Sequence, residues 1–326
     1  MVTPLEMNTK GHAAGFVSGN SGMTRRRLLE ALLAGGVFAG GMPVVSAHGA
    51  TSPRVAAIDW AMLETALAIG ANVVAGSELV QFRETVVEPP VPASVSDLGL
   101  RGAPNYELLR LIAPDLILIS TFYAYHGAHF DRIAPSFSAT VYEPGRASFQ
   151  PAIDLTHALG TRLGLPEAAQ RLVQQTEDDL VHWRQALSGL RDRPVYIINV
   201  GDARHFRAFG YDSLFGDVLS RLGLTNAWEG VSSYSAAAPV SMQVLARKPD
   251  AVLAIVSPIP PDARHTLAES VLWQALPMVR QGRVLMLEPL NHFGALPTAR
   301  RFLRLFGQAM LGNAGATSGQ QGARNG

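Results

Sequence analysis

Short apolar runs alternate along the chain with longer segments in which apolar residues recur every three or four positions. Residues 54–60 form the first such run, residues 61–69 the first helical segment, and residues 116–120 a further run of apolar side chains. A second set begins with the run at residues 194–200 and continues with a helical segment at residues 214–222. Short apolar runs between amphipathic helices are typical of parallel sheets covered on both faces. The pattern therefore predicts two α/β units.

Two stretches, one in each half, follow the same order of elements. Residues 105–119 and 240–254 both read as a helix, a Pro-Asp pair and an apolar run. Proline disfavours the helical conformation in the residue before it, so a helix should end at each pair. The similarity is consistent with one α/β unit used twice, although helix–Pro-Asp–strand is also a common connection in α/β proteins.

A single long helix is predicted between the halves, at residues 167–190. Its apolar stripe advances in steps of four and three, and comprises Ala169, Val173, Thr176, Leu180, Trp183, Leu187 and Leu190. At about 1.5 Å per residue such a helix spans roughly 36 Å. Residues 167–188 contain neither proline nor glycine, so we expect a rigid helix.

The N-terminus has the pattern of an export signal over residues 1–47. Three arginines, Arg25, Arg26 and Arg27, precede an apolar run at residues 31–45 and a small-residue cleavage site ending at Ala47. The run is rich in glycine and shorter than the roughly 20 residues of a membrane-spanning helix. We therefore expect cleavage near Ala47 and a periplasmic protein. Leu28 and Glu30 depart from the strongest twin-arginine pattern, which leaves both the Tat and the Sec route open.

Composition narrows the classes of function. The 326 residues are 48% hydrophobic and 16% charged, which supports buried cores and argues against disorder. Removal of residues 1–47 takes away four basic and two acidic residues and leaves a net charge of −1. Nucleic-acid binding is therefore not expected. The absence of cysteine excludes disulfides and thiolate metal sites.

The segment from residue 88 to residue 120 contains the strongest candidate for a ligand-binding residue. Gly99 and Gly102 permit a tight turn, and Asn105 can cap the helix that follows. Arg101 lies on this constrained turn, where a guanidinium can bind ligand oxygens through forked hydrogen bonds. The alternative is an exposed arginine on an ordinary surface turn.

These residues resemble the periplasmic ferric-siderophore binding proteins of ABC importers, most closely those for ferric hydroxamates. The resemblance rests on Glu-Pro-Pro-x-Pro at 88–92, Gly-Leu-Arg-x-x-Pro-Asn at 99–105, Asn-Ala-Trp at 226–228, and the segments at 239–241 and 272–284. It implies an α/β fold with two Rossmann-like lobes joined by one long rigid α-helix, the class III periplasmic binding protein architecture. The N-lobe would span 48–165, the connecting helix 166–190 and the C-lobe 191–312. The Gly/Ser/Gln-rich tail at 313–326 is expected to be disordered.

The resemblance also implies the binding residues. Arg101 and Tyr123 match the two residues that contact hydroxamate oxygens. The remaining pocket positions, several of them aromatic in the family, read Thr85, Tyr234, Ser235, Asn291, His292 and Phe293. The expected ligand is a ferric siderophore of the hydroxamate or the mixed hydroxamate/carboxylate type. The polar wall favours a ligand more polar than that of the family's hydroxamate binders, such as one with carboxylate groups.

The implied partners are a ferric siderophore and a membrane permease, and we expect a monomer without a resident cofactor. The acidic residues that dock the family to its permease are replaced by Ala128 and Gln243, with Asp131 and Glu107 as substitutes on the N-lobe. Nucleotide-binding and hydrolase motifs are absent from the sequence, which argues against an enzyme.

Two alternatives remain. One is a haem or corrinoid binder on the same scaffold. The other is an exported metal-ion chaperone that would use His126, His129 and His292, although zinc normally needs further converging ligands.

Overall fold

A computed structural model describes residues 52–232 and 239–322, with side chains described as far as residue 314. The predicted signal at 1–47 and the predicted site residues Tyr234 and Ser235 lie outside the described residues.

The N-terminal sheet has five parallel strands in the order β3-β2-β1-β4-β5. Its strands are β1 (Val55–Ala57), β2 (Val73–Gly76), β3 (Ser96–Asp97), β4 (Leu116–Ile119) and β5 (Ser136–Ser138). The central strands are fully apolar and buried, as expected for a parallel sheet covered on both faces. This sheet, with the helices between its strands, forms the N-lobe.

The C-terminal sheet is mixed, with the order β10-β9-β6-β7-β8. Its strands are β6 (Val195–Val200), β7 (His205–Ala208), β8 (Val240–Ser241), β9 (Val252–Ser257) and β10 (Val284–Pro289). Strands β6, β9 and β10 are parallel, whereas β7 is antiparallel to both β6 and β8. The prediction of a parallel sheet is wrong for this edge, because four residues between β6 and β7 permit a hairpin but no crossover. This sheet and its helices form the C-lobe.

The helices of the described chain are α1 (Trp60–Ala68), α2 (Leu79–Thr85), α3 (Tyr106–Ile112), α4 (Gly127–Phe130), α5 (Phe149–Leu163), α6 (Pro166–Ala186), α7 (Leu214–Arg221), α8 (Pro261–Glu269), α9 (Val271–Ala275), α10 (Pro277–Arg280) and α11 (Leu296–Gly322). None of them combines the length and apolar character needed to cross a membrane.

Helix α6 is the long helix predicted from the stripe. It ends at Ala186, and a 3₁₀ turn at Ser188–Leu190 follows where the first glycine, Gly189, occurs. All seven residues of the predicted stripe are buried or pack against the core. The prediction of two α/β lobes with a long helix between them is therefore confirmed.

One hydrophobic cluster extends through both lobes. It contains Val55 and Leu116 from the N-terminal sheet, Val195 and Leu285 from the C-terminal sheet, and Phe302 from α11. Helices α5, α6 and α11 pack against one another across this region. The lobes are thus joined by a shared core as well as by the connecting helix.

Helix α11 continues to Gly322, so the structure differs from the disordered tail predicted after residue 312. No proline interrupts the helical hydrogen bonds there. The side chain of Asn313 also donates to the carbonyl of Gly282 at 2.7 Å, which ties this part of the helix to the C-lobe.

Candidate functional site

The turn before α3 has the predicted form. Gly99 adopts a φ of 74°, a conformation that side chains with a Cβ resist, and its N–H donates to the Asp97 carboxylate at 2.9 Å. Asn105 caps α3 by accepting a hydrogen bond from the N–H of Leu108 at 2.9 Å. The position of Arg101 is therefore fixed from both ends of the turn.

Arg101 is held by two further residues of the N-lobe. Its Nε donates to Glu78 Oε2 at 2.8 Å, and its backbone N–H donates to Glu78 Oε1 at 3.0 Å. The guanidinium lies over the indole of Trp60, 4.0 Å from the ring centroid, a cation–π geometry. Only 25% of the Arg101 side chain is exposed. The ion pair uses the Nε edge and leaves the terminal guanidinium nitrogens without a hydrogen bond among the described residues.

Glu78 lies in an uncommon backbone conformation. Its φ of 53° places it in the left-handed region at the start of α2, and its N–H donates to the carbonyl of Gly99 at 2.8 Å. For a residue with a side chain this conformation costs about 1–3 kcal/mol and tends to occur at functional sites. Sequence reasoning missed Glu78, because its role depends on a contact 23 residues away.

Tyr123 is the second predicted N-lobe residue, and it lies close to Arg101. It belongs to a 3₁₀ turn at Thr121–His126, is 8% exposed, and burial raises the pKa of its phenol. Its hydroxyl has no hydrogen-bond partner among the described residues, so it can donate to a ligand. Phe122, beside it, is 78% exposed, and Leu100 and Tyr125 are also large exposed apolar side chains. The polar groups of Arg101 and Tyr123 are thus flanked in the sequence by exposed apolar side chains.

The histidines of this segment have structural partners. His126 Nδ1 shares a hydrogen bond with the Tyr106 hydroxyl at 2.7 Å, and its Nε2 lies 3.0 Å from the Gly102 carbonyl. The ring of His129 packs against Tyr106, with the centroids 5.6 Å apart. Among the described residues no group of three or more His, Asp or Glu side chains could hold a metal ion.

Asn291 lies in a buried network between the lobes and not on an exposed wall. It is 3% exposed, its Nδ2 donates to Glu64 Oε2 at 3.1 Å, and its Oδ1 accepts from the N–H of Phe293. Both ends of the amide are occupied by protein groups. Asn291 thus holds the loop at residues 290–295, and its contact with the ligand stays a prediction.

Glu64 is the centre of that network and comes from α1 of the N-lobe. Besides Asn291, it accepts hydrogen bonds from the N–H of Ala295 at 2.5 Å and from the N–H and hydroxyl of Thr298 at 3.2 and 2.9 Å. Burial raises the pKa of Glu64 to about 7, and these hydrogen bonds partly oppose the rise. A carboxylate of one lobe thereby holds the loop at 290–295 and the start of α11.

His292 and Phe293 occupy the middle of the loop. The Tyr142 hydroxyl, from the N-lobe, donates to the carbonyl of Gly294, and the ring of Phe293 packs edge-on against Tyr142 with centroids 5.6 Å apart. His292 Nδ1 lies 3.2 Å from an Nη of Arg207 on β7, and its buried Nε2 has no hydrogen-bond partner among the residues that the structure describes. Burial, and to a lesser extent the charge of Arg207, lowers the pKa of His292 to about 3, so the imidazole is neutral.

The remaining predicted residues lie apart from these clusters. Thr85 is a partly exposed residue at the end of α2, and its side chain makes no hydrogen bond within the described structure. The suggested docking positions Ala128 and Gln243 are both exposed, on the N-lobe and the C-lobe respectively. Of the acidic substitutes, Glu107 is exposed, and Asp131 accepts a hydrogen bond from the Ser136 hydroxyl at 2.7 Å.

Comparison with known proteins agrees with this geometry. Residues 55–289 match the family described as "Periplasmic binding protein". The chain is 30% identical over 300 residues to the iron(3+)-hydroxamate-binding protein FhuD of Escherichia coli K12, an alignment that covers 91% of this chain and 100% of that protein.

Solved structures extend the comparison. The siderophore-binding protein FhuD of Vibrio cholerae with Fe³⁺-Desferal bound superposes with a TM-score of 0.74 at 25% identity, covering 81% of this chain and 99% of that one. FhuD2 of Staphylococcus aureus with ferrioxamine B bound has a TM-score of 0.61 at 16% identity, over 80% and 99% of the two chains. The two-lobed fold with a long connecting helix is thus shared with these binding proteins.

Proposed function

The chain belongs to the periplasmic binding protein family, and we propose that it captures a ferric siderophore between its two lobes for an ABC importer. Relatives that bear the names of iron(3+)-hydroxamate and siderophore binders match it over most of its length. The proposed ligand is a ferric complex with hydroxamate oxygens, with or without additional carboxylate groups.

The arrangement of Arg101 carries this proposal. Glu78 and Trp60 orient the guanidinium, and its terminal nitrogens have no acceptor in the described part of the chain. The nearby Tyr123 hydroxyl likewise has no partner there. Iron-bound hydroxamate oxygens carry partial negative charge and accept such charge-assisted hydrogen bonds. The exposed rings of Phe122 and Tyr125 supply apolar surface for the organic backbone of a siderophore.

Membership of the family supports a proposal for the cellular setting. We infer that the protein is exported, that its signal is cleaved near Ala47, and that it delivers its ligand to a membrane permease as a monomer. Export through the twin-arginine route fits Arg25–Arg27. In this role the protein needs neither a catalytic residue nor a resident cofactor, and the iron complex is its cargo.

Quenching of tryptophan fluorescence tests the ligand class, because Trp60 lies directly beneath Arg101. The protein is titrated with ferrioxamine B, iron-free desferrioxamine B, haemin, cobalamin and zinc chloride. We expect saturable quenching by the ferric siderophore and weaker binding of the iron-free form, which lacks the preformed cage of oxygens. Tight binding of zinc, haemin or cobalamin with no response to ferric siderophores would contradict the proposal and favour one of the alternatives.

A further inference from the structure

Arg207 is an arginine of the C-lobe that forms no ion pair with any carboxylate among residues 52–232 and 239–314. It lies on β7 and is half-buried, and its side chain makes one hydrogen bond within the described structure, to His292 Nδ1 at 3.2 Å. Desolvation lowers the pKa of its guanidinium, and no nearby carboxylate opposes that shift. Residues 233–238, the internal segment outside the described structure, contain no Asp or Glu. A partly buried cation without a counter-charge is costly and is typical of a binding site for an anion.

Arg101 of the N-lobe differs in this respect. Arg101 forms an ion pair with Glu78 at 2.8 Å, so its charge is already balanced within the N-lobe. Arg101 is therefore suited to oxygens of an overall neutral iron–hydroxamate centre, because a full negative charge there would meet Glu78 as well. Arg207 has no such neighbour and is suited to a ligand group with a full negative charge.

His292 explains how Arg207 is oriented while its charge is kept. Because an Arg207 N–H donates to Nδ1, the neutral imidazole carries its proton on Nε2, which is buried and has no partner in the described chain. The ring is fixed in turn by edge-on packing against Phe209, with the centroids 5.3 Å apart. A neutral acceptor holds the guanidinium in place and leaves its charge unbalanced. An aspartate or glutamate would hold it in place but would also neutralise its charge.

We propose that Arg207, positioned by His292, binds a carboxylate of the siderophore at the C-lobe. The ligand would then be a ferric complex that combines hydroxamate oxygens with at least one free carboxylate, in contrast to neutral or cationic tris-hydroxamates. This inference rests on the proposed function and specifies the chemical class of its ligand.

Derivatives of ferrioxamine B test the inference with one unchanged iron centre. Its free amine is capped with acetyl, which leaves a neutral group, or with succinyl or glutaryl, which end in carboxylates at two distances. Affinities of the intact protein are measured by fluorescence titration at low and high salt. We expect at least one carboxylate derivative to bind about tenfold or more tightly than the acetyl derivative, and this preference to shrink at high salt.

Substitutions assign the preference to Arg207. Arg207→Gln should reduce the carboxylate-to-acetyl affinity ratio to near one, and His292→Asp should reduce it because the new carboxylate neutralises Arg207. Arg204→Gln, which removes an exposed arginine three residues away, should keep the ratio of the wild type. Equal wild-type affinity for the acetyl and carboxylate derivatives would overturn the inference and leave the proposed function standing. Failure of all the ferric complexes to bind would overturn both.

Discussion

Gly307 of α11 provides a sharp test of how α6 is packed into the shared core. A Cβ added at this position would lie 2.1 Å from Cε3 and 2.4 Å from Cζ3 of Trp183 on α6. Ordinary carbon–carbon contacts are about 3.5–4.0 Å, so the two helices or the indole would have to move by roughly 1.5 Å. Such overpacking costs about 1–3 kcal/mol, against a gain of about 1 kcal/mol in helix propensity. We expect Gly307→Ala to lower the free energy of unfolding by up to about 2 kcal/mol.

The same helix offers a matched control. Gly312 is also helical, but nothing lies within 4 Å of an added Cβ, so Gly312→Ala should be neutral or stabilise the protein by up to about 1 kcal/mol. Urea unfolding followed by circular dichroism, with equal m-values, measures both variants against the wild type. Equal stability changes in the two variants, or a gain of stability in Gly307→Ala, would refute the close packing of α11 on Trp183.

Three further predictions concern the lobes and the ligand. The pKa of Glu64 is raised from 4.5 to about 7 in the folded protein. Between pH 4.5 and 7, Glu64 is therefore protonated in the folded protein and ionised in the unfolded chain. The contribution of this proton to the free energy of unfolding is therefore complete below about pH 4.5 and falls by about 3 kcal/mol as the pH rises through 7. Glu64→Gln should remove this pH dependence of the free energy of unfolding, as measured by urea unfolding. Tyr123→Phe should weaken siderophore binding by about 1 kcal/mol, the loss of one neutral hydrogen bond, and an unchanged dissociation constant would place the hydroxyl outside the site. The shared core should also keep the radius of gyration nearly constant on ligand binding, and a large compaction in small-angle scattering would indicate a flexible hinge instead.

Local patterns in the sequence predicted much of the fold. The stripe from Ala169 to Leu190 predicted α6, and the Asn105 cap and Gly99 predicted the turn that holds Arg101, because each depends on residues close together in the chain. The antiparallel strand β7, between β6 and β8, was not predicted. Its antiparallel direction follows from the short loop before it. The pattern of apolar residues predicts strands but not the direction in which they pair.

The supporting residues of the site depend on contacts between distant parts of the chain. Glu64 bonds to residues more than 220 positions away, and Arg207 meets His292 across 85 positions. An acidic residue in the otherwise apolar segment 60–68 was the one sequence signal for a buried role of Glu64. Asn291 was assigned to the ligand by its position in the family, whereas its hydrogen bonds join the lobes.

The affinity of Arg101→Ala for a ferric hydroxamate tests the central claim most directly. Loss of a charge-assisted hydrogen bond of about 1.5–3 kcal/mol should weaken binding roughly 10- to 100-fold, while circular dichroism remains that of the wild type. Arg110→Ala, which removes an exposed arginine of α3, is the control and should bind as the wild type does. The double variant Arg101→Ala/Glu78→Gln checks that the loss does not come from the unpaired Glu78 carboxylate, and it should stay weak. A folded Arg101→Ala variant with wild-type affinity would contradict the account.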